Sequence, residues 1–217
     1  MAQATEVVFL PLKEGNDPQG QKLKATLETI LKQGGPLRMY SGAQVEHPNV
    51  HNLFIDWTSI GHHEKFIAWE GYKAFLDDAV SLCEGPPNLY HVHFEPFPPT
   101  AAFSGVTEFI TLYFPADYSA EDQKTCHENM KKLGNIIQRD WEGCRGAAGG
   151  WVAEELEDPK TSEKARVYVE LIGWESVDSH MKFRETQSFK DNLHLLRDAK
   201  DLKNVAMVHV AAKEFKA

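Results

Sequence analysis

Two stretches of the sequence place a histidine in the same setting. WTSIGHHEKF at 57–66 and WESVDSHMKF at 174–183 share Trp, Ser, His, Lys and Phe in the same slots. His63 and His180 each lie three residues after one apolar position and three before another, which predicts the sheet-facing side of a helix. In a pocket, a neutral imidazole there could act as a general base. The alternative is a buried histidine hydrogen-bonded to a neighbour.

A second histidine pattern, His91-Val92-His93, lies in a predicted strand. Because side chains alternate along a strand, both rings would point to one face, as in many metal sites. His63 or Asp56 could supply a third ligand. We favour a pocket-lining role without metal, with His91 binding substrate and His93 among the catalytic candidates. His209 lies in the matching strand of the second half.

Two acids interrupt apolar strands, Asp56 in LFIDW and Glu170 in VYVELIGW. An unpaired buried carboxylate is costly and its pKa rises, so each is a candidate site residue. The alternatives are contact with water at a strand end for Asp56 and a partner such as Arg166 or Lys182 for Glu170.

Composition limits the classes of function. The 217 residues carry a formal net charge of −9, with 42% hydrophobic and 25% charged residues. An acidic chain without a basic stripe disfavours nucleic-acid binding. Three cysteines without a CxxC motif predict a reducing compartment, and no apolar run is long enough to span a membrane. We therefore expect a cytoplasmic protein that binds a small molecule, with neither nucleic acid nor membrane as partner.

The sequence contains an internal repeat. TEVVFL at 5–10 aligns with TEFITL at 107–112, and in both halves the pattern predicts strand, helix, strand, strand, helix, strand. Asp17-Pro18 resembles the N-cap of the first helix, and Gly85-Pro86-Pro87 ends the second. The predicted domains are residues 1–98 and 104–217, joined by a Pro-rich segment.

The strands predict how the two repeats are packed. FITLYF and VYVELIGW are apolar on both parities, so both faces of each sheet must be covered. The prediction is an α+β fold in which two ferredoxin-like β-α-β-β-α-β repeats pack sheet to sheet, with the helices outside.

VYVELIGWESVDSHMKF resembles the strand–turn–helix passage of the stress-responsive A/B barrel and antibiotic-biosynthesis-monooxygenase-like families, and tandem copies in one chain resemble fungal proteins. The resemblance implies a fused dimeric α/β barrel, with a ligand pocket between each helix layer and its sheet. Plant polyketide cyclases of this superfamily carry pocket histidines where this chain has His51 and Tyr72. His51 aligns with Tyr168, and Tyr72 aligns with Phe189. The resemblance thus makes Tyr72 a catalytic candidate. The substrate-binding candidates are two strand-end tryptophans, three histidines and a tyrosine: Trp57, Trp174, His51, His91, His209 and Tyr168.

The expected function is a cofactor-independent enzyme of secondary metabolism. It would act on an apolar or aromatic, polyketide-like molecule, and a histidine would abstract a proton. Cyclase, lyase and oxygenase reactions stay open. Repeat 1, with His62, His91 and Tyr72, has the richer polar chemistry and is the favoured site. The alternatives are a non-enzymatic stress-response protein that binds small molecules and a haem enzyme with His180 or His209 as axial ligand. No metal is expected, haem and a metal at His91 and His93 are disfavoured, and a homodimer stays open.

Overall fold

The computed structural model describes residues 2–14 and 20–216 of the chain. The predicted cap at Asp17-Pro18 lies outside the described residues. Each repeat is a mixture of helices and strands in the predicted order, which confirms the α+β class. In repeat 1 the elements are β1 Ala4–Pro11, α1 Gln21–Leu31, β2 Pro36–Ala43, β3 Val50–Trp57, α2 Ile60–Ile67, α3 Tyr72–Ser81 and β4 Asn88–Glu95.

Repeat 2 has the same plan with a longer first helix and additional short elements. After a short 3₁₀ helix at Thr100–Phe103 come β5 Val106–Pro115, α4 Ala120–Asp140, β6 Cys144–Val152, β7 Leu156–Glu157, β8 Lys164–Trp174, α5 Val177–Arg184, α6 Gln187–Asn192, α7 His194–Arg197, β9 Asn204–Val210 and β10 Lys213–Glu214.

The chain divides into two compact units, and the division differs from the predicted 1–98 and 104–217. The first unit is Met1–His91 with Val210–Ala217, and the second is Val92–His209. The last residues belong to the first unit because β10 pairs with β2 and Val210 forms a bridge with Gln44. The end of β4 belongs to the second unit because Val92–Glu95 pair with β6.

Each unit has a mainly antiparallel sheet. The strand order is β10-β2-β3-β1-β4 in the first unit and β4-β6-β8-β5-β9 in the second, with β7 beside β8. The strands β3 and β8 are buried on both parities, as the sequence predicts. The packing of one repeat against the other stays a prediction.

Helix α4 forms where the sequence predicts it. Ser119 accepts a hydrogen bond from the Asp122 backbone N–H and caps the helix. The apolar face then packs on the sheet, because its residues recur at helical spacing and all are buried: Cys126, Met130, Leu133 and Ile137.

The sequence predicts that the second helix of repeat 1 continues up to Gly85. The structure shows two helices instead. Helix α2 ends at Ile67, and α3 begins only at Tyr72. The Trp69 ring folds over Gly71, where a Cβ would lie 2.4 Å from it, so the chain turns at this point. In repeat 2 the corresponding stretch is divided into α5, α6 and α7, and the Thr186 side chain caps α6.

The cysteines Cys83, Cys126 and Cys144 are buried and free. Among the helices of the described residues, none combines the length and apolar character needed to cross a bilayer.

Candidate functional site

His63 belongs to a buried polar cluster in the first unit. Ser59 precedes the first turn of α2, and this turn directs His63 toward the sheet, where its exposed fraction is only 3%. Its Nδ1 lies 2.9 Å from Nε2 of His91 on β4. The ring stacks on Trp57 with centroids 5.1 Å apart. The strand end and the first helical turn therefore fix the orientation of the imidazole.

Glu6 on β1 completes this cluster. Its Oε1 lies 3.6 Å from His63 Nε2, and its Oε2 accepts a 2.8 Å hydrogen bond from the Trp57 indole. Acid and imidazole thus form a chain, Glu6–His63–His91, in which the carboxylate can stabilise an imidazolium and the second histidine can relay a proton.

The same cluster is built again in the second unit. His180 Nδ1 lies 2.8 Å from His209 Nε2, and His180 Nε2 lies 3.5 Å from Glu108 Oε2. The Trp174 indole donates a 2.9 Å hydrogen bond to Glu108 and stacks on the His180 ring. His209 therefore has the same place in β9 of the second unit as His91 has in β4 of the first.

The two glutamates were not among the site residues predicted from the sequence. Glu6 and Glu108 are buried, with exposed fractions of 4% and 6%. The available signal was the Thr-Glu pair that opens both β1 and β5, which we had used only to align the repeats. Because an acid in the first apolar strand of both copies is costly to bury, that repetition could have indicated a site.

The glutamate of the second unit has a shifted ionisation. Burial raises the pKa of Glu108 to about 7, although the Trp174 hydrogen bond and the charge of Arg184 act in the opposite direction. The carboxyl is thus about half ionised near neutral pH. In the first unit, burial and the nearby Glu6 raise the pKa of the Tyr72 hydroxyl, which keeps it a neutral hydrogen-bond donor.

Glu6, His63 and Tyr72 lie on the wall of an apolar cavity between the helices and the sheet of the first unit. The other lining residues come mainly from the core, including Leu23, Leu53 and Phe66. The cavity volume is about 60 Å³. This is far below the roughly 150 Å³ of an engineered cavity that binds benzene.

The cavity of the second unit is larger. Glu108, His180 and Trp174 lie on its wall, and its volume is about 240 Å³. Phe189 stands where repeat 1 has Tyr72, as the alignment predicts, so the hydroxyl is missing here. Two exposed arginines, Arg184 and Arg197, lie at the edge instead. This cavity combines an imidazole, a carboxyl and two cations with room for a ring.

His63 and His180 therefore lie on cavity walls, and each contacts the side chains of a glutamate, a tryptophan and a second histidine. Trp57 and Trp174 are fully buried beside them and hold each cluster in place. Trp174 lines the apolar cavity of its unit, and Trp57 does not line that of the first unit. His93 does not join either cluster: it is exposed and lines neither apolar cavity.

His51 and Tyr168 occupy separate environments. His51 Nε2 lies 2.6 Å from the Ser41 hydroxyl, and burial lowers the pKa of His51 to about 4. The Tyr168 hydroxyl lies 3.0 Å from His127 Nδ1, under helix α4. Both are buried, and neither lines the cavity of its unit's histidine cluster.

Asp56 and Glu170 are both buried, and neither has the contact that the sequence predicts for it. Asp56 is 1% exposed, so contact with water at a strand end is wrong; instead, it accepts a 2.6 Å hydrogen bond from Thr5. Glu170 is bonded neither to Arg166, which donates to Gln123 and Val152, nor to Lys182, which pairs with Asp178.

Metal and haem can each be tested against these residues. Among the described residues, one trio brings ligand atoms within 4.8 Å of one another: Glu6, His63 and His91. This set of two imidazoles and a carboxylate suits a divalent transition metal. The predicted pair His91 and His93 does not form such a group, because His93 is exposed. Haem fits poorly beside His180, because the cavity there is smaller than usual ligand pockets of about 300 Å³ or more.

The fold and the duplicated cluster define a class of protein: two ferredoxin-like repeats in one chain, each with a histidine held between a glutamate and a second histidine. No protein-family model matches the sequence. No curated protein matches it either.

Solved structures share the architecture along the whole chain. An anthrone oxidase-like protein is 12% identical with a TM-score of 0.67, over 98% of this chain and 92% of its own. A candidate monooxygenase from Lactobacillus acidophilus NCFM is 12% identical with a TM-score of 0.62, over 99% and 96%. A candidate chlorite dismutase is 10% identical with a TM-score of 0.58, over 98% and 95%. The chain thus shares with these solved structures a fold of two ferredoxin-like repeats in tandem, as the sequence predicted.

Proposed function

We propose that the protein is an enzyme that removes a proton from a small aromatic substrate in the cavity of the second unit. The observation that carries this proposal is the position of His180 on the wall of an apolar cavity of about 240 Å³, between Glu108 and His209. The corresponding cavity of the first unit holds about 60 Å³, too little for a ring. The size of the cavities thus favours repeat 2 over the repeat that the sequence favoured.

The proton transfer follows from the contacts of His180. His180 Nε2 takes the proton from an acidic C–H or a phenol, and the electron pair stays on the substrate, delocalised onto its oxygen. The imidazolium is stabilised by the Glu108 carboxylate 3.5 Å away and by a hydrogen bond from its Nδ1 to His209. No cofactor is needed for this step.

The arginines define the class of substrate. Arg184 and Arg197 carry charges at the edge of the cavity, while its interior is formed by aliphatic and aromatic side chains such as Ile172 and Phe183. A hydroxylated aromatic ketone or an aromatic acid would bury its rings and direct its oxygen toward a guanidinium group.

Oxygenation of the resulting carbanion is the first reaction to assay, because similar structures include an anthrone oxidase-like protein and a candidate monooxygenase. In such a reaction a methylene group between two aryl rings loses two hydrogens, and O₂ supplies the ketone oxygen and is otherwise reduced to water. The apolar cavity would exclude bulk water from the carbanion.

The test measures O₂ consumption and absorbance with anthrone as substrate. His180→Gln should lower kcat by about a hundredfold, the lower end of what a positioned base contributes. His63→Gln is the matched control in the same cluster of repeat 1 and should retain activity. Loss of activity with His63→Gln alone would move the reaction to the first unit. Binding of anthrone without turnover in the wild type would indicate a non-enzymatic binding protein.

A second candidate function rests on the trio in the first unit. Glu6, His63 and His91 could hold a divalent metal in a cavity with room for little more than a small diatomic or triatomic ligand. Bound there, the metal would supply redox or Lewis-acid chemistry. Elemental analysis of purified protein tests this candidate: stoichiometric iron or another transition metal that His91→Ala removes supports it, and a metal-free active protein contradicts it.

A further inference from the structure

A third cavity lies between helix α4 and the sheet of the second unit, and none of the functions above uses it. Its volume is about 160 Å³. Tyr168 and Glu170 of β8 form its buried end, and Lys131, Asn135 and Gln138 of α4 lie at its exposed edge. At the positions aligned with Tyr168 and Glu170, repeat 1 has His51 and Leu53, so this combination belongs to repeat 2 alone.

Glu170 carries a polar group without a partner at this buried end. The residue is 2% exposed, and among the described residues its Oε2 has no hydrogen-bond partner. Burial, together with the charge of Glu108, raises the pKa of Glu170 to about 8, although the neighbouring Tyr168 hydroxyl acts in the opposite direction. At neutral pH the carboxyl is therefore mainly protonated and can donate one hydrogen bond.

Glycines make room for this carboxyl. A Cβ at Gly149 would lie 2.1 Å from Glu170 Oε2 and 2.1 Å from the Tyr168 hydroxyl. The two polar groups therefore lie next to each other along the Gly149 backbone. On the other side, a Cβ at Gly134 of α4 would lie 3.6 Å from Glu170 Oε1. Small residues thus border the carboxyl where larger side chains would fill the cavity.

A chain of side chains orients Tyr168. Its hydroxyl lies 3.0 Å from His127 Nδ1, and His127 Nε2 lies 3.1 Å from Glu95 Oε2. Glu95 also pairs with Lys131 at the exposed edge. Because the carboxylate of Glu95 accepts the Nε2 proton, His127 Nδ1 accepts from the tyrosine, whose hydroxyl oxygen keeps its capacity to accept a hydrogen bond.

We propose that this cavity is a second ligand site, in which the Glu170 carboxyl donates a hydrogen bond to the carbonyl oxygen of a small, neutral, single-ring compound. The volume suits one ring, since an engineered cavity of about 150 Å³ binds benzene. The unpartnered carboxyl supplies the directional contact that fixes the orientation of a ligand in a mostly preformed pocket. This site is separate from the His180 cavity and does not depend on the proposed function.

The ionisation of Glu170 should control this binding, because an ionised carboxylate cannot donate a hydrogen bond. The titratable and charged groups around it that could modify this dependence come from four elements: Glu95 of β4, Glu108 of β5, Cys126, His127 and Lys131 of α4, and Tyr168 of β8.

The test uses a fluorinated acetophenone, a single-ring ketone that does not ionise, followed by fluorine NMR. For the wild type we expect saturable binding that weakens by about tenfold as the pH rises through about 8. Glu170→Gln keeps a donor at the same place and should bind independently of pH. Glu170→Leu introduces the residue that repeat 1 carries and should bind about tenfold more weakly at neutral pH.

His180→Leu shows which cavity binds the ketone. The change should weaken binding if the ketone lies in the His180 cavity, and it should leave the affinity unchanged if the ketone lies in the cavity under α4. Equal affinity of the wild type and Glu170→Leu, a wild-type affinity that does not change with pH, or no saturable binding would each overturn the proposal. If Glu170→Leu does not fold, the comparison of pH profiles between the wild type and Glu170→Gln decides.

Discussion

The Trp57 indole donates a 2.8 Å hydrogen bond to the Glu6 carboxylate, 51 residues earlier in the sequence. The same indole stacks on the His63 ring, so one side chain fixes both the acid and the imidazole. Trp174 does the same for Glu108 and His180. The strand-end tryptophan is therefore a positioning residue, and its place in both repeats follows from the two partners that it holds.

Removing this donor should destabilise both units alike. Trp57→Phe and Trp174→Phe each leave a buried carboxylate oxygen without its partner, which costs about 1–3 kcal/mol in the free energy of unfolding. Urea denaturation measures the loss. Trp141→Phe is the control: its indole donates to Ser179 at 2.9 Å, but the residue is only partly buried, so a smaller loss is expected. Losses no larger than that of the control would show that the buried hydrogen bond contributes little.

The activity should depend on the ionisation of Glu108. Burial places the pKa of Glu108 at about 7, and only the ionised form stabilises an imidazolium at His180. We therefore expect kcat/KM to rise as the pH increases through about 7. Glu108→Gln should remove this rise and lower kcat/KM by about tenfold or more, as expected for the loss of a charge-assisted contact. Glu6→Gln is the matched control and should keep the wild-type profile; a profile unchanged by Glu108→Gln would separate this acid from the reaction.

The sequence was sufficient for the fold because its strongest signals are periodic. Helical spacing identified the buried face of α4, and apolar residues on both parities identified β8 as a strand buried on two faces. The repeated WTSIGHHEKF and WESVDSHMKF passages correctly placed His63 and His180 against the sheet. The break between α2 and α3 was missed because it depends on Trp69 folding over Gly71, a contact without a periodic signature.

The site was harder to predict from the sequence than the fold, because its residues come from strands that are far apart along the chain. His91 and His209 meet their partner histidines only through the register of the last strand of each repeat, which spacing cannot fix to one residue. Glu6 and Glu108 served only to align the two repeats, because nothing in the sequence shows that each lies beside a histidine more than 50 residues away. The network from Tyr168 through His127 to Glu95 joins three elements and has no counterpart in repeat 1 that could have revealed it.

Asp56 should lower the stability of the protein at neutral pH. Burial raises the pKa of Asp56 from 3.8 to about 6, although Thr5 donates a hydrogen bond to it. The pKa of Asp56 is thus higher in the folded chain than in the unfolded chain. The stabilising contribution of the protonated carboxyl is therefore complete below about pH 4 and is lost as the pH rises through about 6. Asp56→Asn keeps an oxygen acceptor for Thr5 without the charge. We expect it to raise the free energy of unfolding at pH 7 by about 1–3 kcal/mol, and the gain should vanish near pH 4.

Denaturation at both pH values measures this effect. Asp77→Asn is the matched control, because Asp77 is exposed on α3 and pairs with the exposed Lys73, so its replacement should change stability by less than about 0.5 kcal/mol. A loss of stability with Asp56→Asn at pH 7 would show that the carboxylate has a compensating interaction.

Gly149 should be the least replaceable of the glycines beside the cavity under α4. An added Cβ would meet both the Glu170 carboxyl and the Tyr168 hydroxyl at 2.1 Å, and both of these side chains are buried on β8. Neither can withdraw into solvent, so Gly149→Ala should lower the free energy of unfolding by about 1–3 kcal/mol. It should also weaken ketone binding in this cavity, because the new methyl group displaces the carboxyl from its position. Gly85→Ala is the control: nothing lies within 4 Å of its Cβ position, and the change should remain within about 0.5 kcal/mol. If Gly149→Ala were as stable as Gly85→Ala, the Glu170 and Tyr168 side chains would have to be movable, and the cavity would not be the preformed site that the ligand proposal requires.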